Sequence, residues 1–441
     1  MSARVFFYVQ HLLGIGHLRR AALLARALSA GGFDVLLVSG GAPTKALALG
    51  GARFHQLPPL RATDARLKVL AHPDGVPVDP AFRLARLKGL VRLLRAEAPD
   101  IVVTEQFPFG RTQLRFELLP LVEAALALRP RPLIVSSVRD VVRESATPQR
   151  IEEMLEAFDR YFDFVMIHAD PDLVSFDRSF AAWDRIRARA HYTGYVVEPD
   201  LLQPATGDAG ANDLGVGEVV ISAGGGAVGG PLLRAALAAR PLTSLAGCTW
   251  RLLVGANMPA DELEQLRRAA TLSTPSPAGG GLGEGDAVSR HDNHSGNEDR
   301  VPLRPLGTSP CGGEDRVGEV IIEPARPDFA VLLRNATLSI SQGGYNTLIE
   351  TLCLADRAVI VPFAAGLETE QTRRAALLAE RGMIQVVTEK ALGPEILAAA
   401  IERALAGPSI RSFPRCDVGG GPASVALLGA ALASHRERLA S

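Results

Sequence analysis

Short apolar runs at residues 5–9, 33–38, 53–57, 100–104, 132–137 and 164–168 predict buried strands. Between them, apolar side chains at helical spacing predict helices over 17–30, 44–49, 80–95, 113–128 and 148–161. In the first helix Leu18, Ala21, Leu24, Ala25 and Leu28 share one face. Strands alternating with helices imply a parallel sheet covered on both faces. A further strand near 191–193 ends this half, and a stretch rich in Pro, Gly, Ala and Asp follows, so that 1–198 reads as one domain and 199–217 as a linker.

The same rhythm restarts with a strand at 219–222, a glycine loop at 223–230 and a helix at 231–239. Strands at 249–254, 320–322, 337–341, 358–362 and 384–387 then alternate with helices, giving a second domain at 218–421. A last helix occupies part of 422–441. From 271 to 318 the pattern lapses into Ser, Pro, Gly, Asp and Arg with almost no apolar residues, which predicts a disordered insertion. His291 and His294 lie inside it, and a flexible polar loop gives such a pair no reason to hold a metal.

Length and composition agree with two globular domains. The chain has 441 residues, 47% of them hydrophobic, and a formal net charge of −1, without the basic excess that favours nucleic acid. Cys248, Cys311, Cys353 and Cys416 are scattered without metal-ligand spacing and are expected to be reduced thiols, with no metal site and no cofactor. The N-terminus reads as a first strand rather than a signal peptide, and no apolar stretch reaches the roughly 20 residues of a membrane span. A cytoplasmic protein is expected. The helix at 80–95 carries Arg83, Arg86, Lys88, Arg92 and Arg95, a basic face that suits either solvent or peripheral contact with an anionic membrane.

In parallel sheets ligands bind beyond the carboxyl ends of the strands. The loop after the first strand holds Gly14, Gly16, His17 and Arg20, and a helix start lowers a histidine's proton affinity, keeping His17 available as a base. Glu105, Arg111, Arg139 and Asp140 stand at other strand ends. Asp140 is a candidate to orient His17, and Arg139 or Arg111 to meet a phosphate or an acidic acceptor; structural ion pairs at the rim are the alternative. In the second half Gly224, Gly225 and Gly226 form a loop suited to a pyrophosphate. The strand ending at Ser341 is followed by Gly343 and Gly344 and by a helix opening with Asn346 and Thr347, the outline of a phosphate site.

The run from 338 to 382 resembles the donor-binding half of the GT-B glycosyltransferases, family-28 type, which includes the bacterial enzyme adding N-acetylglucosamine to lipid-linked muramyl pentapeptide. The resemblance implies two Rossmann-like, doubly wound domains facing a cleft, with the terminal helix returning to the first domain. It gives the diphosphate to Gly343 and Gly344, ribose hydroxyls to Glu350, and the donor sugar to Glu370 and Gln371. It puts the base against residues 323–329, held through backbone groups. The G-x-G-H-x-x-R loop also resembles one in the nucleotide-sugar hydrolase of pseudaminic acid synthesis, and in both groups such a histidine acts near the reacting carbon. The implied function is a metal-independent, inverting transferase that uses a UDP-sugar and a lipid-linked or small-molecule acceptor. A hydrolase of the same fold, or a non-catalytic nucleotide-sugar-binding protein, are the other readings.

Overall fold

A computed structural model describes residues 2–12, 14–44, 47–63, 69–142, 147–198, 213–224, 229–255, 258–272, 318–364 and 370–440. The first domain runs β1 (Arg4–Val9), α1 (Gly16–Ala30), β2 (Asp34–Ser39), β3 (Arg53–Gln56), β4 (Arg61–Ala62), β5 (Leu70–Ala71), α2 (Pro80–Glu97), β6 (Ile101–Glu105), α3 (Arg115–Leu126), β7 (Leu133–Arg139), α4 (Pro148–Tyr161), β8 (Phe164–His168), α5 (Trp183–Ile186) and β9 (Ala190–Tyr192). The second runs β10 (Val219–Ser222), α6 (Gly230–Ala239), β11 (Trp250–Val254), α7 (Ala260–Leu272), β12 (Val320–Pro324), α8 (Phe329–Asn335), β13 (Leu338–Ser341), α9 (Tyr345–Leu354), β14 (Ala358–Ile360), α10 (Glu370–Glu380), β15 (Gln385–Val386) and α11 (Pro394–Ala406). Helix α12 (Gly420–Ala440) ends the described chain.

Each domain has a parallel sheet, ordered β3-β2-β1-β6-β7-β8-β9 in the first and β12-β11-β10-β13-β14-β15 in the second. The order reverses between β1 and β6 and again between β10 and β13, and an open sheet leaves a crevice at such a switch point. Central strands such as β6, β7 and β13 are buried along their whole length, as strands covered on both faces must be. Helix boundaries follow local chemistry. Asp79 caps α2 by accepting from the Phe82 N–H at 2.6 Å, with Pro80 in the first turn, where its missing N–H costs nothing.

Helix α12 belongs spatially to the first domain. Leu428 and Leu432 enter the core formed by β1, α1 and β7, and Arg436 bonds Asp100 at 2.7 Å. Gly31 at the end of α1 makes room for it, since a Cβ there would lie 2.5 Å from Val425.

Four expectations need correction. Residues 47–49 are irregular, because Pro43 and the Gly50–Gly51 pair bound too few residues to nucleate a helix. The helix at α2 does not offer Arg86 to solvent: its guanidinium is buried against Glu117 at 2.7 Å, Gln10 at 2.9 Å and the Gly40 carbonyl. Of the linker, residues 213–217 pack on the second domain, where Leu214 accepts a bond from Asn335 at 2.8 Å; 199–212 lie outside the described residues, as does most of 271–318. Cys248 is disulfide-bonded, whereas Cys353 and Cys416 are free thiols with sulfurs 3.3 Å apart, proximities that sequence spacing does not reveal.

Because α12 is fastened to the first domain mainly through its apolar face, Leu428→Ala is expected to cost about 2–5 kcal/mol. A fall in the thermal transition, with the second domain's tryptophan signal from Trp250 unchanged at the early edge of melting, would show it.

Candidate active site

Both switch points open into one cleft between the domains. On the first domain's side, His17 sits at the start of α1 and Glu105 at the end of β6, and His17 Nδ1 lies 2.6 Å from Glu105 Oε1. Arg20, one turn further along α1, donates to the same carboxylate oxygen at 2.7 Å and to the Val138 carbonyl at 3.3 Å. Arg111 Nε stands 3.9 Å from the other oxygen. Burial opposes the charge on Glu105, but the contacts with His17, Arg20 and Arg111 outweigh it and hold the carboxyl below the usual carboxylate range. Burial, then the charges of Arg111 and Arg139, push His17 well below the ordinary histidine value despite the attraction of Glu105. The pair is therefore a neutral imidazole donating Nδ1–H to an ionised carboxylate. That tautomer leaves the Nε2 lone pair as the base.

Asp140 does not orient His17. Its carboxylate is taken by Arg374 of α10, through two bonds of 2.6 Å, and both side chains are buried. Glu105 holds the place expected of Asp140, because the end of β6 lies next to β1 whereas Asp140 follows β7, one strand further off. Arg139 stacks on the Tyr345 ring at 5.1 Å and lies 3.9 Å from Glu370. A Cβ at Gly16 would meet Arg139 Nη2 at 3.4 Å, an ordinary contact, and Gly14 is exposed with open space around it.

On the second domain's side, Ser222 and Ser341 are register partners at the carboxyl ends of β10 and β13. Gly224 and Gly343 follow them with φ of +68° and +42°, left-handed values suited to glycine. Gly344 caps α9 with no side-chain cap, so the first N–H groups of the helix remain available, and the buried hydroxyl of Ser341 has no partner. Asn346 reaches the Gly16 carbonyl at 3.5 Å and Thr347 accepts from Thr351. Glu350, a turn along α9, lines a small pocket with Arg19, Glu198 and Val197; burial raises its carboxyl against the pull of Arg19. Gln371 accepts from the Phe363 N–H at 3.2 Å, tying the start of α10 to the residues just after β14. Gly225 and Gly226 lie outside the described residues.

Sequence reasoning gave no role to Tyr345, whose hydroxyl bonds the His168 carbonyl across the cleft at 2.8 Å, or to Arg374. The spacing of Glu370 and Arg374, four apart on α10, puts both on one helix face and is the signal for the second.

The architecture is that of the GT-B proteins. CalG4, the calicheamicin glycosyltransferase, superposes with a TM-score of 0.57 at 15% identity, covering 98% of each chain. MurG of Acinetobacter baumannii gives 0.57 at 15% identity, over 97% of this chain and 99% of that one. Within this fold, residues 316–411 match the glycosyltransferase family 28 C-terminal domain. The UDP-N-acetylglucosamine–N-acetylmuramyl-(pentapeptide) pyrophosphoryl-undecaprenol N-acetylglucosamine transferase of Phenylobacterium zucineum is 32% identical over 104 residues, 24% of this chain and 28% of that protein. The Thiobacillus denitrificans protein of the same name is 36% identical over 74 residues, 17% and 20% of the two chains. The sequence match thus spans between a fifth and about a quarter of these relatives' length.

Two measurements follow from the geometry. Nitrogen-15 NMR is expected to find His17 neutral at pH 6.5 with the proton on Nδ1, and Glu105→Gln should lower its titration midpoint further by removing the one attractive charge. Asp140→Ala leaves Arg374 charged and buried, which costs about 3–5 kcal/mol; thermal melting should drop accordingly, and Asp140→Glu should recover part of the loss.

Proposed function

We propose that this protein transfers a sugar from a nucleotide diphosphate sugar, most plainly a UDP-sugar, to an acceptor hydroxyl. The observation that carries this reading is the His17–Glu105 pair at the β1–β6 switch point, facing the uncapped start of α9 at the other. The family-28 match supports a nucleotide-sugar donor, and the names of the relatives support UDP.

In the reaction the acceptor oxygen attacks the anomeric carbon while that carbon's bond to the diphosphate oxygen breaks. The hydroxyl proton passes to Nε2 of His17, and the diphosphate leaves with the bonding pair. Attack from the face opposite the leaving group inverts the anomeric centre. The imidazolium formed is stabilised by Glu105, already ionised 2.6 Å away. The leaving diphosphate is met by the N–H groups after Gly343 and Gly344 and by Arg139. Since the protein supplies these positive groups itself, transfer is proposed to proceed without a metal, and EDTA should leave the rate unchanged. Glu350 and Gln371 are assigned to the ribose and to the donor sugar's surroundings.

Transfer is tested by incubating UDP-sugars with candidate acceptors and following UDP release. Dependence of release on acceptor supports the proposal, and full-rate release of free sugar without acceptor supports a hydrolase. His17→Ala should reduce turnover by about 10²–10⁴-fold, the usual contribution of a general base, with UDP affinity retained. With His17 as base, activity falls as pH drops through its pKa. The acid limb should therefore lie below pH 6.5, and in Glu105→Gln the residual activity should show that limb moved to still lower pH.

A further inference from the structure

The catalytic reading leaves one reactive pair without a role. Cys353 and Cys416 are the free thiols among the described residues, and their sulfurs lie 3.3 Å apart although they stand 63 positions apart in sequence. Both are half-buried, so a small oxidant can reach them. Their chemistry is not equivalent. The bond between the sulfurs lowers the pKa of Cys416 against the effect of burial, whereas that bond, then burial and the nearby charge of Glu350, raise the Cys353 thiol. Cys353 is therefore the donor of the bond and Cys416 the sulfur poised to ionise, and the thiolate is the nucleophilic form.

The pair also sits where the two domains are joined. Cys353 lies in the last turn of α9, three residues after Glu350, on the helix whose first residue, Tyr345, reaches the His168 carbonyl of the first domain. Cys416 lies in the segment that brings the chain back from the second domain to α12, and its neighbours are fastened to the first domain. The Asp417 N–H donates to Asp170 Oδ2 at 2.9 Å, the Tyr195 N–H donates to the Asp417 carbonyl at 2.7 Å, and the Gly420 N–H donates to the Tyr195 carbonyl at 3.1 Å. Gly194 has φ of +81°, and a Cβ there would lie 2.6 Å from the Asp417 carboxylate, so the two chain segments pass each other with no room to spare. A bond between the sulfurs would join a helix of the second domain to a segment held by the first.

We propose that Cys353 and Cys416 form a redox-controlled tie between the domains, closed by a peroxide and opened by a dithiol. In closing, the Cys416 thiolate attacks one oxygen of hydrogen peroxide. A sulfur–oxygen bond forms, the oxygen–oxygen bond breaks, and hydroxide leaves with the bonding pair and takes up the proton that Cys416 gave up. The Cys353 sulfur then attacks the sulfenic sulfur, and the sulfur–oxygen bond breaks, releasing water that carries the Cys353 proton. Two thiols lose two electrons in all, and one peroxide becomes two waters. A dithiol reopens the tie by exchange and is itself left as a disulfide. While the tie is closed, α9 cannot part from the returning segment, and the domains are held in the arrangement described above.

The test takes the full chain through hydrogen peroxide and then dithiothreitol. Alkylation, tryptic digestion and mass spectrometry without reduction are expected to find peptide 335–357 joined to peptide 416–436 after peroxide and separate after dithiothreitol. Hydrogen exchange at the Tyr195 and Asp417 amides should be slower by about five-fold or more in the joined form. Dithiothreitol also reaches the disulfide of Cys248, so Cys353→Ser and Cys416→Ser are carried through the same cycle, and their exchange should not respond. The proposal is overturned if the joined peptides do not form, if they form without slowing exchange, or if either serine variant responds as the wild type does. UDP release gives a second reading of the lock: it should slow by a similar factor in the joined form and recover with dithiothreitol, and unchanged release overturns the lock. Should UDP fail to bind at all, the transferase reading fails separately, and peptide mapping with hydrogen exchange still decides the tie.

Discussion

The cleft depends on one buried carboxylate. Glu105 ends a strand whose every residue is buried, and a charge there is tolerable only with partners that compensate the lost hydration. Its Oε1 accepts from both His17 and Arg20. These lie three apart on α1, so a single oxygen fixes the first turn of that helix against the end of β6. The same bond that satisfies the carboxylate selects the imidazole tautomer. Structure and chemistry are here one constraint: a helix placed otherwise would leave a naked charge in the core.

The two domains meet through a second set of buried contacts. Asp140 and Arg374 form a two-bond ion pair, Tyr345 reaches the His168 carbonyl, and the guanidiniums of Arg139 and Arg374 both lie over the Tyr345 ring, at 5.1 and 5.4 Å. Tyr345 is the first residue of α9, so the helix start assigned to the diphosphate is tied directly to the first domain. Helix α12 adds the covalent return, carrying the chain from the second domain back onto α1.

The fold was largely legible in the sequence because parallel sheets write themselves as apolar runs separated by amphipathic helices. The strands at 5–9, 219–222 and 337–341 lie where their composition places them, within a residue or so at either end. Short or irregular elements were not legible: 47–49 are irregular despite their helical composition, and 45–46 lie outside the described residues. Placement was legible where one local segment decides it: Gly343 follows β13 with a left-handed φ, and His17 opens α1. Pairings across strands were not. Asp140 and Glu105 are both acids at strand ends, and only strand order, which sequence does not state, decides that β6 and not β7 lies beside β1. Partners between domains, such as Arg374 for Asp140, lie further still from any local signal.

The placement of positive charge gives the cleft a direction. The second domain offers backbone N–H groups and glycines, which neutralise an anion without fixing its identity and suit a diphosphate that must leave. The first domain offers guanidinium side chains ordered by a shared carboxylate, which hold position and demand a geometry. His17 stands between the two, neutral first because it is buried and further because Arg111 and Arg139 repel a proton. The cations that help to keep the histidine a base are also groups that attract an anion. An anion drawn to these cations would offset part of that repulsion and raise the proton affinity of His17, so that occupancy of the cleft and basicity of its histidine are physically coupled.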